Sequence, residues 1–285
     1  MFLRRSSIAS LSRLLLCALA SLLIGTSAGS QEVASTWYTK KTTWHEFDQF
    51  HFQIAGSPAY LVVPTAAAAG NPWIWRARFP GYHAEMDIQL LRTGFHLAYL
   101  DVANKFGCPD VVERAEQFYR FLVNERGLNS KAAMEGVSRG GLFVYNWAAK
   151  HPSRVSSIYC DTPVCDFRSW PGGKGKGIGS DAAWKQCLAA YGLSEQEALT
   201  YNKMPIDHAE IIARAKIPIL HIVSENDRVV PPQENTYRLQ QQLKEFGHNM
   251  QIISVAAGTA KSNGHHFDHP DPQRVIDFFI NHQPE

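Results

Sequence analysis

From residue 47 to residue 282, apolar positions alternate between two periods. Phe50, Phe52 and Ile54 recur at every second residue, Gly56-Ser57-Pro58 supplies a turn and Tyr60 to Val63 returns, so 47–64 predicts a β-hairpin. Trp73 to Phe79 and Phe95 to Val102 are short apolar runs that predict strands. Between them, Ala84 to Arg92 places Met86, Leu90 and Leu91 at helical spacing. A period near 3.6 returns through Val111, Ala115, Phe118 and Leu122, which predicts a helix over 111–125. Ala132 to Val137 and Val155 to Cys160 predict strands, separated by a helix over 140–150 that His151-Pro152 stops. After a Gly- and Lys-rich stretch at 170–180, helical patterns recur at 181–190, 194–201, near 208–216, at 232–246 and at 272–282. Strands are predicted at 218–224 and 251–256.

Strands that alternate with helices predict an α/β domain with a mostly parallel, doubly wound sheet covered on both faces. Functional groups in such sheets collect at the carboxyl ends of the strands. The irregular segment of about 167–205 falls between two predicted strands, so a small cap insertion over that edge is expected.

The chain has 285 residues, 45% apolar and 19% charged, an ordinary globular mix that excludes a disordered or low-complexity protein. Its net charge of +2 is too small for a nucleic-acid footprint, and no fixed-period repeat supports a solenoid. The first thirty residues differ from the rest. Arg4, Arg5 and Arg13 form a basic start, Leu14 to Ile24 is an apolar run broken by Ser21, and Ala28-Gly29-Ser30 is small. That layout predicts a secretory signal peptide over 1–30, followed by a mature domain over 31–285. The apolar run is short for a membrane span, so no stable membrane insertion is expected after cleavage, and the location is secreted or periplasmic. Export makes disulfides permissible. Four cysteines remain, Cys108, Cys160, Cys165 and Cys187; Cys165 and Cys187 flank the Gly-rich loop and are candidates to staple it, although three full pairings are open. No CxxC occurs, which gives structural zinc no support.

The chemistry-bearing residues lie just past predicted strands. Gly136-Val137-Ser138-Arg139-Gly140 is a GxSxG between a strand and a helix, the context in which a serine hydroxyl is raised on a sharp turn. Side chains at 136 and 140 would crowd neighbouring backbone, and the helix N-terminus beneath the turn favours developing negative charge. Asp227 follows the strand over 218–224 and is a candidate to orient an imidazole, with Glu225 as the nearest substitute. His265 and His266 follow the last strand; His265, directly after Gly264, is the favoured base. These histidines with Asp268 and His269 also admit a metal reading, which the complementary Ser and Asp make the weaker one.

With Ser138, Asp227 and His265 in that chain order, the sequence resembles the α/β-hydrolase superfamily over nearly all of 31–285. Ser138-Arg139-Gly140-Gly141 with Ala148-Ala149 and Pro152 resembles that family's nucleophile helix. Asp227 with Val229-Val230-Pro231 is similar to its acid loop, and Gly264-His265 to its histidine loop. Trp73-Ile74-Trp75-Arg76-Ala77-Arg78-Phe79 and Trp170-Pro171-Gly172-Gly173-Lys174-Gly175-Lys176-Gly177 resemble a bacterial subgroup described only as hydrolases or esterases.

The resemblance implies an α/β-hydrolase fold and an oxyanion hole. The backbone N–H of Arg139 is one expected donor. The loop that supplies the second commonly begins His-Gly, whereas here it reads Arg78-Phe79-Pro80-Gly81-Tyr82-His83. Pro80 has no N–H, which leaves Phe79. Arg76 and Arg78 are either substrate-facing cations or sheet-edge ion-pair partners, and Arg78 is retained as a candidate substrate contact. The Gly172–Gly177 segment lacks the GxxxxGK[ST] spacing of a phosphate loop; a mobile cap loop is expected, with Lys174 and Lys176 as candidate contacts to an acidic sugar. Most tryptophans are expected in the core or cap, and Trp170 is the candidate site wall.

The sequence therefore predicts a serine hydrolase that cleaves carboxylic esters, with esterified carbohydrates as a candidate substrate, through an acyl-enzyme and without cofactor or metal. A peptidase, lactonase or thioesterase on the same fold is the alternative. A small molecule or carbohydrate ester is the expected partner, and oligomeric state is open.

Overall fold

Among the described residues nine strands order the fold: β1 (Lys40–Trp44), β2 (Phe47–Ile54), β3 (Ser57–Val63), β4 (Trp73–Ala77), β5 (His96–Leu100), β6 (Ala132–Val137), β7 (Val155–Asp161), β8 (Ile219–Ser224) and β9 (Gln251–Val255). The computed structural model describes residues 36–284, and the predicted signal peptide over 1–30 lies outside them. The strands form one sheet in the order β1-β2-β3-β5-β4-β6-β7-β8-β9. β1, β2, β3 and β5 pair antiparallel, and every pair from β5 through β9 is parallel. The sheet is thus mostly parallel, as the strand–helix alternation predicts.

All residues of β4, β6 and β8 are buried, the mark of strands covered on both faces. The helices are α1 (Glu85–Arg92), α2 (Pro109–Arg120), α3 (Gly140–Lys150), α4 (Asp181–Tyr191), α5 (Glu195–Thr200), α6 (Ala209–Arg214), α7 (Thr236–Glu245) and α8 (Pro272–Asn281). Met86, Leu90 and Leu91 of α1 pack with Val275, Phe278 and Phe279 of α8 on one face of the sheet. On the other face, Phe118 of α2, Phe143 and Trp147 of α3, Ile212 of α6 and Leu239 of α7 join Trp73 and Trp75 of β4. Sequence periodicity falls short in three places. β1, Lys-Lys-Thr-Thr-Trp, is an edge strand with no apolar alternation to reveal it. The helix expected over 111–125 gives way at Phe121 to a wider turn, in which the Arg126 N–H donates to the carbonyl of Phe121, five residues back. The helix expected from 232 starts at Thr236, because Asn235 turns away to serve the insertion.

That insertion, between β7 and β8, carries α4 and α5. Ser194 and Glu197 cap α5 reciprocally: the Ser194 side chain accepts from the Glu197 N–H at 3.3 Å, and Glu197 accepts from the Ser194 N–H at 2.8 Å. Buried Asn235 ties the insertion to the domain. Its Oδ1 accepts from the N–H groups of Cys165 (2.8 Å) and Asp166 (3.2 Å), and its Nδ2 donates to the Pro231 carbonyl (3.0 Å) and Ser169 Oγ (3.1 Å).

Two expectations are corrected here. No Cys165–Cys187 staple forms: Cys108, Cys160, Cys165 and Cys187 are all buried free thiols. The Cys165 thiol turns back toward the Pro163 carbonyl, 3.8 Å away, and burial pushes the thiols of Cys165 and Cys187 up. Arg76 neither faces substrate nor lies at the sheet edge. It is fully buried in β4, paired with Asp87 of α1 and, at 2.8 Å, with Glu135 of β6. Burial opposes the guanidinium's charge, but the two carboxylates outweigh it, and its pKa is raised. Arg76 also donates to the carbonyls of Phe79 (3.0 Å) and Tyr82, so it shapes the loop that leaves β4.

Candidate active site

The carboxyl ends of β4, β6, β7, β8 and the segment after β9 converge on one cavity of about 310 Å³. The rings of Phe79, Tyr82 and Trp170 form its walls with Val137 and Val229. Ser138, Arg139, Thr162, His265 and His266 supply the polar groups.

Ser138 sits between β6 and α3 with φ at +51°, in the left-handed region that a side chain disfavours. Main-chain bonds on both sides hold it there. Its N–H donates to the Asp161 carbonyl at 2.9 Å, and its carbonyl accepts from Val164 (2.9 Å) and Gly141 (3.0 Å). The turn also needs its glycines. A Cβ at 140 would collide with the Ala77 carbonyl, and one at 141 would lie 2.6 Å from the Pro163 Cβ. Phe79 and Thr162 share the unusual backbone, with φ at +44° and +40°, so strain is concentrated around the cavity.

Ser138, Asp227 and His265 are brought into contact. His265 Nε2 lies 3.0 Å from Ser138 Oγ, and its Nδ1 lies 2.6 Å from Asp227 Oδ2. The other carboxylate oxygen of Asp227 accepts from the N–H groups of Val229 (2.8 Å) and Val230 (2.9 Å), which locks the carboxylate plane. His265 is 7% exposed, whereas His266 is exposed and stands beside the cavity, its ring centroid 5.4 Å from that of Tyr82. Partial desolvation beside the cavity, with His265 as a neighbour, lowers the pKa of His266. Glu225 points elsewhere, accepting from Tyr237 and Ser254 hydroxyls.

The other candidates divide. Arg139, Phe79 and Trp170 line the cavity. Arg78 does not: its guanidinium lies over the Phe79 ring, 4.7 Å from the centroid. Lys174 and Lys176 also stay outside it. Lys174 pairs with Glu195 at 2.5 Å, and the Lys176 N–H is taken by Glu234. Trp73, Trp75 and Trp147 are core residues, and Trp184 packs against Phe167 in the insertion. Among the described residues, no group of three or more His, Cys, Asp or Glu is placed to hold a metal.

Sequence reasoning missed His83. Its Nδ1 lies 2.6 Å from Asp161 Oδ2 and its Nε2 lies 2.8 Å from the Phe267 carbonyl. Both partners are acceptors, an arrangement that favours a ring protonated on both nitrogens. It clasps the Phe79 loop, the end of β7 and the loop carrying His265. Burial opposes the charge, but the Asp161 carboxylate outweighs it and the pKa is raised; Glu85 and His269 also face the ring. A raised folded-state pKa means stability that is fully present below the ordinary histidine value, about 6.5, and lost as pH rises through the folded value. His83→Gln is expected to flatten that decline. Thermal unfolding of both proteins from about pH 5 to pH 9 measures it, and parallel curves would remove the ion pair from the account.

Residues 110–279 match the model of the prolyl oligopeptidase family, a segment that holds Ser138, Asp227 and His265. The chain belongs to the prolyl oligopeptidase family. It is accordingly a serine hydrolase with the α/β-hydrolase fold. The candidate residues Arg78 and Phe79 lie before the matched segment. No curated protein sequence matches the chain. Among solved structures, an acylaminoacyl peptidase from Pyrococcus horikoshii is similar at 16% identity and TM-score 0.63, over 83% of this chain and 42% of that one. A puromycin hydrolase is similar at 16% identity and TM-score 0.64, over 86% and 39%. Carboxyl esterase 2 from Tuber melanosporum is similar at 16% identity and TM-score 0.60, over 87% and 90%. At such identities these likenesses concern the fold alone. This member of the prolyl oligopeptidase family spans less than half the length of the first two.

Proposed function

We propose that this protein hydrolyses carboxylic esters of small molecules or carbohydrates by two-step acyl transfer. The observation that carries the reading is the position of His265, 3.0 Å from the Ser138 hydroxyl and 2.6 Å from the Asp227 carboxylate. Ser138 Oγ attacks the carbonyl carbon while His265 Nε2 takes its proton. Asp227 holds the imidazole with Nδ1 protonated and stabilises the cation that forms. The N–H groups of Arg139 and Phe79 receive the oxyanion. As the tetrahedral adduct collapses, the alcohol leaves with the proton from His265. Water, deprotonated by His265, then cleaves the acyl-enzyme and restores Ser138. No step needs a metal or organic cofactor. Trp170 walls the substrate space. The basic, apolar and small-residue order of 1–30 supports a secreted or periplasmic enzyme, and the segments Trp73–Phe79 and Trp170–Gly177 support membership of a bacterial subgroup of secreted hydrolases.

A second reading has its own support: the matched family is named for a peptidase, and an acylaminoacyl peptidase shares the fold. A substrate comparison separates the two. Purified protein is expected to hydrolyse p-nitrophenyl acetate and acetylated or methyl-esterified sugars, with kcat/KM for peptide p-nitroanilides at least about 100-fold lower. The reverse order would establish the peptidase.

A further inference from the structure

We propose that Arg139 is a specificity-determining residue that binds a carboxylate on the substrate, so that the esters this enzyme prefers are anionic. The inference rests on the reading of the cavity as an ester-hydrolysing site. Arg139 is the one fixed charge in the cavity lining, to which no Asp or Glu contributes. It forms no ion pair among the described residues. The Nη1 group donates to the Asn104 side-chain oxygen at 3.2 Å, and Nε is buried with no partner. Three aromatic rings surround the guanidinium: Trp170 at 4.6 Å, Phe106 at 5.7 Å and Phe79 at 5.9 Å from its carbon.

A half-buried guanidinium without a carboxylate is an expensive arrangement. The rings compensate it only in part, and two further features make it worse. Arg139 stands at the N-terminal end of α3, where the helix dipole disfavours a cation. Arg78 is a second positive neighbour, and burial together with that repulsion lowers the pKa of Arg139. An opposing charge brought by a ligand would relieve all of these at once. With Nη1 engaged by Asn104 and Nε enclosed, Nη2 remains as the donor for one oxygen of a carboxylate. That group belongs to the residue directly after Ser138, and both line one cavity, so a single substrate can present its carboxylate to one and its carbonyl to the other.

Two matched ester pairs test this, with the charge on either side of the scissile bond. The first is 4-acetoxybenzoate against 4-acetoxybenzamide. The second is 4-nitrophenyl 4-carboxybenzoate against 4-nitrophenyl 4-carbamoylbenzoate. After division by the uncatalysed rates, kcat/KM of the wild-type protein is expected to favour the anionic member of at least one pair by roughly tenfold to a hundredfold. Arg139→Gln should bring the ratio to about unity, and Arg139→Lys should keep part of the preference. Equal turnover within both wild-type pairs overturns the proposal. So does a loss in Arg139→Gln that falls equally on both members, which would assign the side chain to the oxyanion instead. Calorimetry on Ser138→Ala protein adds an arm that needs no turnover. Benzoate should bind more tightly than benzamide, and the difference should vanish in Ser138→Ala/Arg139→Gln. If no ester is turned over while that difference persists, the ester reading fails and the anion site stands. If phenyl phosphate outbinds benzoate through Arg139, the carboxylate assignment is overturned.

Discussion

Ser138→Ala is expected to lower ester turnover by at least about 10⁴-fold and to abolish covalent labelling by a fluorophosphonate. The substitution removes the hydroxyl that, among the described residues, lies within hydrogen-bonding reach of His265 Nε2, while leaving the groups around it in place. The N–H groups of Arg139 and Phe79 belong to the main chain and survive. Any residual rate would therefore come from polarisation of the carbonyl and from binding, with water as the attacking group. Folding should change little. The backbone bonds of residue 138 to Asp161, Val164 and Gly141 do not involve its side chain, and alanine tolerates φ at +51° no worse than serine does. Intact-mass spectrometry after probe treatment, beside p-nitrophenyl acetate kinetics, gives the answer. A labelled Ser138→Ala protein would place the nucleophile elsewhere.

Asp227→Asn is expected to cost roughly 10⁴-fold in kcat with only a small change in KM. The reason lies in the two oxygens of Asp227. One accepts from the N–H groups of Val229 and Val230, and the other faces His265 Nδ1. In the variant, the amide oxygen must take the position that accepts from the main chain, because the amide nitrogen would oppose two donors there. The NH₂ group then points at His265 Nδ1, which becomes an acceptor, and the proton moves to Nε2. A ring protonated at Nε2 donates to Ser138 and is no longer its base. The signature is a lost base with intact binding. A competitive inhibitor should bind Asp227→Asn within about threefold of wild type, and a fall in affinity parallel to kcat would show a disrupted site instead.

The parts of this molecule that were legible in the sequence are those set by local sterics or by period. Gly140 after Ser138 marks a turn with no room for a Cβ against the Ala77 carbonyl, Gly136 is crowded by the Cys160 and Val144 side chains, and the apolar runs of β4, β6 and β8 mark strands covered on both faces. The chain order of Ser138, Asp227 and His265 follows from strand order, so one sequence suffices to read it. What escaped depends on contacts across long separations. His83 meets Asp161 and Phe267 only because β7 and the segment after β9 end beside the loop leaving β4. Arg76, in an otherwise apolar strand, looks like a surface or site cation until Asp87 and Glu135 are seen around it. The positive φ angles of Phe79 and Thr162 carry no residue-type signal, since neither is glycine. The Cys165–Cys187 expectation rested on position along the chain, whereas burial of each thiol depends on which way it faces in three dimensions.

The attachment of the nucleophile turn to its surroundings separates two traits. Ser138 is moored to Asp161 and Val164, just before the insertion departs, through main-chain atoms alone. Any amino acid but proline at 164 supplies the same tether, and any at all supplies the carbonyl of 161. Side chains further along the insertion, Trp170 among them, can drift and alter which molecules are admitted while the reacting hydroxyl stays put. The share of selectivity carried by those side chains is mechanically uncoupled from the chemistry and free to change, whereas the share proposed for Arg139 sits on the nucleophile turn itself and is not.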